Sequence, residues 1–148
     1  MPHSTASIAH YDFAAADRHA VLSSLFGVDT ARAEHNVYQY ANRYLNDYDG
    51  GVWSVIPLPN GGGFMQPDGD EWLMFTGEDD AACVTVSAEA AGIIITALVL
   101  SHRCFMYDRH DEEELADLFC RRHEQLLDFV SDHAERDAIY LALFGAAW

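Results

Sequence analysis

The sequence predicts an α+β fold, an antiparallel β-meander of three to four short strands packed against about five helices. Three observations carry that expectation. Val37, Tyr40, Ala41, Tyr44, Leu45 and Tyr48 recur at the spacing of one helix face. Between Val52 and Val86, short runs rich in β-branched and aromatic residues alternate with turn-forming clusters. From Ser87 onward the pattern is helical again, and its first part is apolar on every side. A chain of 148 residues, half of them apolar, is enough for one domain with its own core. Residues 1–11 are expected as a flexible N-terminal tail and residues 12–148 as the single domain.

The first helix is expected from about Asp12 to Phe26, where Gly27 can take the left-handed conformation that ends a helix. The second starts near Asp29 or Thr30, either of which can cap it, and ends near Asp49-Gly50-Gly51. Val52-Trp53-Ser54-Val55-Ile56 reads as the first strand, closed by Pro57 and Pro59. Asn60-Gly61-Gly62-Gly63 turns the chain into a second strand, Phe64-Met65-Gln66. Pro67-Asp68-Gly69-Asp70 leads to a third at 72–76, and Gly77-Glu78-Asp79-Asp80 to a fourth at 83–86. Strands this short, joined by turns, pair antiparallel. Ser87 caps a helix reaching about Tyr107. Within it, the eleven residues 90–100 are too few for a bilayer span of about 20 and suit a buried core helix, with Ile94 and Leu98 inside. Asp111 with Glu114 has the capping-box pattern for a helix to about Ser131. Asp132 with Glu135 repeats it for a last helix to about Phe144.

Charge excludes several functions. There are 24 acids against 8 bases, net −16, and every base is Arg. Without Lys there is no Schiff-base chemistry and no phosphate loop of the kind that needs its Lys. Direct binding to nucleic acid or to an anionic membrane is not expected, because both require positive potential. An acidic protein can instead meet a basic protein surface. The N-terminus has no basic start followed by an apolar stretch, so the chain is expected in the cytoplasm. Cys83, Cys104 and Cys120, an odd number at wide spacings, are expected as reduced, small core residues.

No constellation in the sequence marks a catalytic centre. There is no G-x-S-x-G elbow, and His123-Glu124 begins like a zinc-protease motif but has Leu127 where the second His belongs. Cys120, His123 and Glu124 share a helical spacing, but their directions diverge, so no metal and no cofactor is expected. Glu113, Glu114, Asp117, Glu124, Asp128 and Asp132 fall on one helix face, a stripe about 30 Å long at about 1.5 Å per residue. Such a stripe is either a solvated face or an imitation of a phosphate row. The segment Tyr48-Asp49-Gly50-Gly51-Val52-Trp53 reads locally as a tight helix-to-strand corner, with Trp53 offering a large surface beside the turn.

Four segments, in order, resemble the ArdB/KlcA-type antirestriction proteins of mobile elements. Asn46-Asp47-Tyr48-Asp49-Gly50-Gly51-Val52-Trp53 is similar to that family's YDG-x-W corner, and Asn60-Gly61-Gly62-Gly63-Phe64-Met65-Gln66-Pro67 to its NGGFYM-x-P hairpin. Ser87-Ala88-Glu89-Ala90-Ala91-Gly92-Ile93 is similar to its S-x-(D/E)-AAGI helix start. His133-Ala134-Glu135 with Ala138-Ile139-Tyr140 is similar to its HPEA…IY ending. Gly63 stands where the family has an aromatic, and Ala134 where it has Pro. The resemblance spans residues 35–142 and implies a compact α+β protein, not an enzyme, that relieves type I restriction of incoming DNA. It implies a host defence protein as partner. The candidate contact residues are Asp47, Tyr48, Asp49, Gly50, Gly51 and Trp53 of the corner, with Asn60 and Phe64 of the hairpin. Two other readings stay open: an acidic DNA mimic against another defence system such as CRISPR, and a small hydrolase. Oligomeric state is not legible.

Overall fold

The long apolar stretch forms the centre of the molecule. A computed structural model describes residues 15–51, 53–76 and 82–144. In it, helix α3 (Ala88–Arg109) buries twelve of its residues, among them Ile93, Ile94, Ile95, Val99 and Leu100. Leu98, expected inside with Ile94, is half-buried and packs against the core from its edge. At 22 residues α3 is long and apolar enough to cross a bilayer, but most of its apolar stretch is buried against neighbouring elements. Ser87 caps it as expected, its hydroxyl accepting the Ala90 N–H at 3.0 Å.

Around α3 stand α1 (Ala15–Phe26), α2 (Thr30–Tyr44), α4 (Glu113–Val130) and α5 (Arg136–Phe144), and four strands. The α+β class and the helix count match the expectation. The single meander does not form. Strand β1 (Ser54–Pro57) pairs with β2 (Gly63–Gln66), and β3 (Glu71–Thr76) with β4 (Ala82–Ser87), as two separate antiparallel hairpins. The reason lies in the edges that would have joined them. The outer N–H of Met65 in β2 donates to Thr96 Oγ1 of α3 at 3.0 Å. The outer edge of β3 is occupied by the chain leaving α2, where Leu45 pairs with Met74 and the Asn46 N–H donates to Leu73 O at 2.9 Å. Both edges are satisfied elsewhere, so neither is open to the other.

The same contacts shorten α2. It ends at Tyr44 rather than near Asp49, because Leu45 turns extended to bridge β3, and Tyr48 lies beyond the helix. At the other end of α2, Asp29 occupies the cap position without capping. Its carboxylate, buried among the packed helices, instead holds Arg103 of α3 through Nε at 2.5 Å and Nη2 at 3.2 Å. Burial lowers the proton affinity of Arg103, but the bonds from Asp29 and Tyr107 outweigh it, so its pKa lies above the ordinary arginine value. Gly27 ends α1 at φ +60 and starts a 3-10 turn, Gly27–Asp29. Neither capping box forms. Asp111 lies outside α4 at φ +59, and Glu135 turns its carboxylate to Ser87 instead. The tail at 1–11 and the turn at 77–80 lie outside the described residues.

The cysteines need correction. Cys104 of α3 and Cys120 of α4 are disulfide-bonded, with Cα atoms 5.6 Å apart, and Cys83 is exposed. α3 and α4 form a hairpin turning near Asp111, and the two positions sit at similar distances from that turn, which brings them face to face. Closing a loop of sixteen residues removes chain entropy worth about 3 kcal/mol.

Two stability measurements follow from this packing. Cys104→Ser combined with Cys120→Ser is expected to lower the unfolding free energy by about 3 kcal/mol against the oxidised protein. Reductant should produce the same loss in the parent and none in the variant, read from denaturant midpoints. A Cβ at Gly92 would stand 2.2 Å from Met65 O and 2.8 Å from Gln66 Cα. Gly92→Ala is therefore expected to cost about 3 kcal/mol or more, since neither backbone can retreat. An unchanged midpoint would mean that β2 does not lie on α3.

Candidate functional site

The corner at 45–53 is built by backbone demands. Asp47 sits at φ +58, a conformation that Asp tolerates better than most residues, and Gly50 and Gly51 at φ +98 and +118. A side chain at Gly50 would touch nothing and one at Gly51 only Asp68 at 4.0 Å. It is therefore the backbone conformation, not lack of room, that selects glycine.

Trp53 closes the corner inward. It is 1 % exposed, so the large outer surface expected of it is absent. Its indole N–H donates to the Tyr48 hydroxyl at 3.1 Å, and its ring is met edge-on by Tyr38 and Tyr48 at 5.9 and 6.1 Å. Its carbonyl accepts from Arg18 Nη2 at 3.1 Å. Arg18 also pairs with Glu34 at 3.4 Å, and Glu34 accepts the Tyr38 hydroxyl at 3.2 Å. Burial, with Glu34 beside it, raises the Tyr38 pKa, so the phenol stays protonated as donor. Tyr48 continues to Trp72, whose indole N–H donates to Asp68 O at 2.8 Å. These aromatics tie α1, α2, the corner and β3 together. What remains at the surface is Asp47, Asp49, Gly50 and Gly51, with Tyr48 half-buried.

The 60–63 hairpin also faces inward. Asn60 Nδ2 donates to Gln125 O at 2.8 Å, Gln125 Nε2 returns a bond to Asn60 O at 2.9 Å, and Asn60 Oδ1 accepts the Gly62 N–H. A Cβ at Gly62 would lie 2.8 Å from Gln125 Cβ, and one at Gly63 2.7 Å from Ile56 O. The hairpin is thus pressed onto α4, and the Gly63 position has no room for an aromatic. Phe64 is fully buried, stacked on Phe129 at 6.3 Å. Of the predicted contact residues, Trp53 and Phe64 belong to the core, and Asn60 is an exposed residue bound to α4.

The two remaining motif segments meet each other, which sequence reasoning did not anticipate. His133, buried just before α5, points Nε2 at Glu89 Oε2 in the first turn of α3, 2.5 Å away. Its Nδ1 accepts the Glu135 N–H at 2.9 Å, so the ring proton is assigned to Nε2, toward Glu89. Glu135 in turn accepts the Ser87 N–H at 2.9 Å and the Ser87 hydroxyl. S-x-E and H-x-E thus form a reciprocal lock between the start of α3 and the approach to α5. It supplies no catalytic triad: Ser87 is bonded to Glu135 and Ala90, not to His133. The signal was the shared i, i+2 spacing of polar residues in both motifs.

Five of the stripe carboxylates lie on α4, and Asp132 lies beyond its end at Val130. Glu113, Glu114, Asp117, Glu124, Asp128 and Asp132 are all exposed, while Ala116, Phe119, Leu126 and Val130 face the core. Cys120 is committed to its disulfide, so its sulfur is no partner for a metal with His123 and Glu124. Among the described residues no group of three or more His, Cys, Asp or Glu is placed to hold a metal ion.

Comparison with known proteins gives three findings. The sequence model described as antirestriction protein matches residues 46–143. The YubI protein of Escherichia coli strain K12 is 43% identical over 129 residues, 86% of this chain and 89% of that protein. The antirestriction protein KlcA of Escherichia coli is 34% identical over 134 residues, 88% of this chain and 89% of KlcA. A solved structure of the KlcA and ArdB proteins superposes with a TM-score of 0.73 at 29% identity, covering 97% of this chain and 99% of that one. Those proteins are described as having a novel fold and antirestriction activity against type I DNA restriction systems in vivo but not in vitro.

The lock predicts energetic coupling. Glu89→Ala and His133→Ala are each expected to destabilise the fold, and the double variant by less than their sum, with a coupling of about 0.5–3 kcal/mol. A cycle with no coupling would mean that the two side chains do not meet in solution.

Proposed function

The chain belongs to the antirestriction protein family, and from that premise we propose that it relieves type I restriction of incoming DNA inside the host cell. It does so without catalysis, by contact with a host protein linked to the restriction machinery, and takes neither DNA nor membrane as its direct partner. The observation that supports this most is the near-complete structural match to proteins described as acting on type I systems. The net charge of −16 supports a basic protein surface as target and opposes nucleic acid. The cytoplasm, where incoming DNA is restricted, is the site of action.

A second reading is an acidic DNA mimic against another defence system, and the five exposed carboxylates of the stripe on α4, with Asp132 just beyond it, favour it. The two readings differ in target. The test is DNA entry into matched hosts bearing a type I system, a CRISPR system or neither, with the protein expressed in each. Relief of at least tenfold in the type I host alone is expected. Relief confined to the CRISPR host would replace this reading with the second.

A further inference from the structure

Between the C-terminal half of α3 and the N-terminal half of α4 lies a groove of about 430 Å³. It is lined by the Cys104–Cys120 disulfide, by Ala116 and by Phe105, which is 69 % exposed. A single exposed aromatic is ordinary. This one lines a concavity together with the disulfide and Ala116, the setting in which an inserted side chain gains most from leaving water. Three carboxylates line the same groove, Asp108 from α3 and Asp117 and Glu124 from α4, and neither Arg nor Lys lines it. His123 is the one basic-type side chain there. Burial pushes its pKa below the ordinary histidine value, so it is neutral at pH 7 and does not offset the acids.

We propose that this groove docks a basic segment of a partner protein, with one apolar side chain entering between Phe105 and the disulfide and flanking Arg or Lys side chains meeting Asp108, Asp117 and Glu124. Charge decides the occupant. A second copy of a chain at net −16 is repelled from an acidic groove, and so is nucleic acid. The proposal deepens the reading given above, because it rests on the chain acting through protein contacts.

The test uses two groove variants, Phe105→Ser and the combination Asp108→Asn, Asp117→Asn, Glu124→Gln. Glu113→Gln with Asp128→Asn alters the stripe outside the groove, and Val28→Ser removes an apolar side chain, 93 % exposed, elsewhere. All are checked for unchanged unfolding midpoints. Each is scored for relief of type I restriction in cells. Binding is measured in parallel with a synthetic helical peptide bearing Leu on one face and Arg beside it, and with its Glu-for-Arg counterpart. In the parent, the Arg peptide is expected to shift amide resonances of residues 101–108 and 116–124, and the Glu peptide none. Both groove variants should bind it at least tenfold more weakly and lose at least tenfold in relief, while the other two variants retain both. Groove variants that still relieve restriction within twofold of the parent overturn the proposal, as does loss confined to the outer-stripe variant. If the parent itself gives no relief, the type I reading fails, and the peptide alone decides the groove: shifts there sustain it, and their absence overturns it.

Discussion

Gly92 of α3 lies directly against the Met65 backbone, so close that a Cβ would stand 2.2 Å from the carbonyl oxygen, and the rest of the fold is arranged around that contact. It lets β2 lie flat on the central helix with all four of its residues buried. A buried strand edge needs a partner for its N–H, and Thr96, one turn on from Gly92, supplies it. Once β2 is committed to α3, its outer edge is not open to the second hairpin. The second hairpin then finds its neighbour in the corner that follows α2. The division into two sheets follows from these two commitments, of β2 to α3 and of β3 to the chain leaving α2.

The family motifs mark places where separate elements cross. The YDG-x-W-like segment pins α2 to β3 through Trp53, Tyr48 and Trp72, and the glycine hairpin seats β1–β2 on α4 through Asn60 and Gln125. The Ser87–Glu89 and His133–Glu135 pair fastens the entry of α5 to the start of α3. Much of what resembles the family is therefore scaffold, with side chains satisfied inside the protein. The surfaces the motifs do not consume are the carboxylates of the corner, the outer face of α4 and the groove beside it.

That outer surface is predominantly acidic, although Arg121 is exposed among the carboxylates of α4. Repulsion among its carboxylates opposes compactness. The Arg residues that are ordered inward counter it locally: Arg103 on Asp29, Arg18 on Glu34 and the Trp53 carbonyl, and Arg122 on Ser24 O. With these cations turned to internal bonds, the carboxylates on the face of α4 are left with Arg121 as the exposed cation among them.

The sequence by itself determined the elements. Periodicity placed α2, the apolar run placed α3 at the centre, Ser87 placed its cap, and alternating faces placed the stripe of α4, because each depends on residues a few positions apart. Where it failed, a distant partner outbid the local one. Leu45 left the helix for Met74, Asp29 left its cap for Arg103, and Glu135 left its box for Ser87. Trp53, legible as a large aromatic beside a turn, was turned inward by Tyr38, Tyr48 and Arg18. Only the tertiary structure decided that Cys104 faces Cys120, that Phe105 lines a groove with them, and that the meander is two hairpins. Those outcomes depend on which surfaces meet across the chain, and local patterning constrains a residue's element without naming its long-range partner.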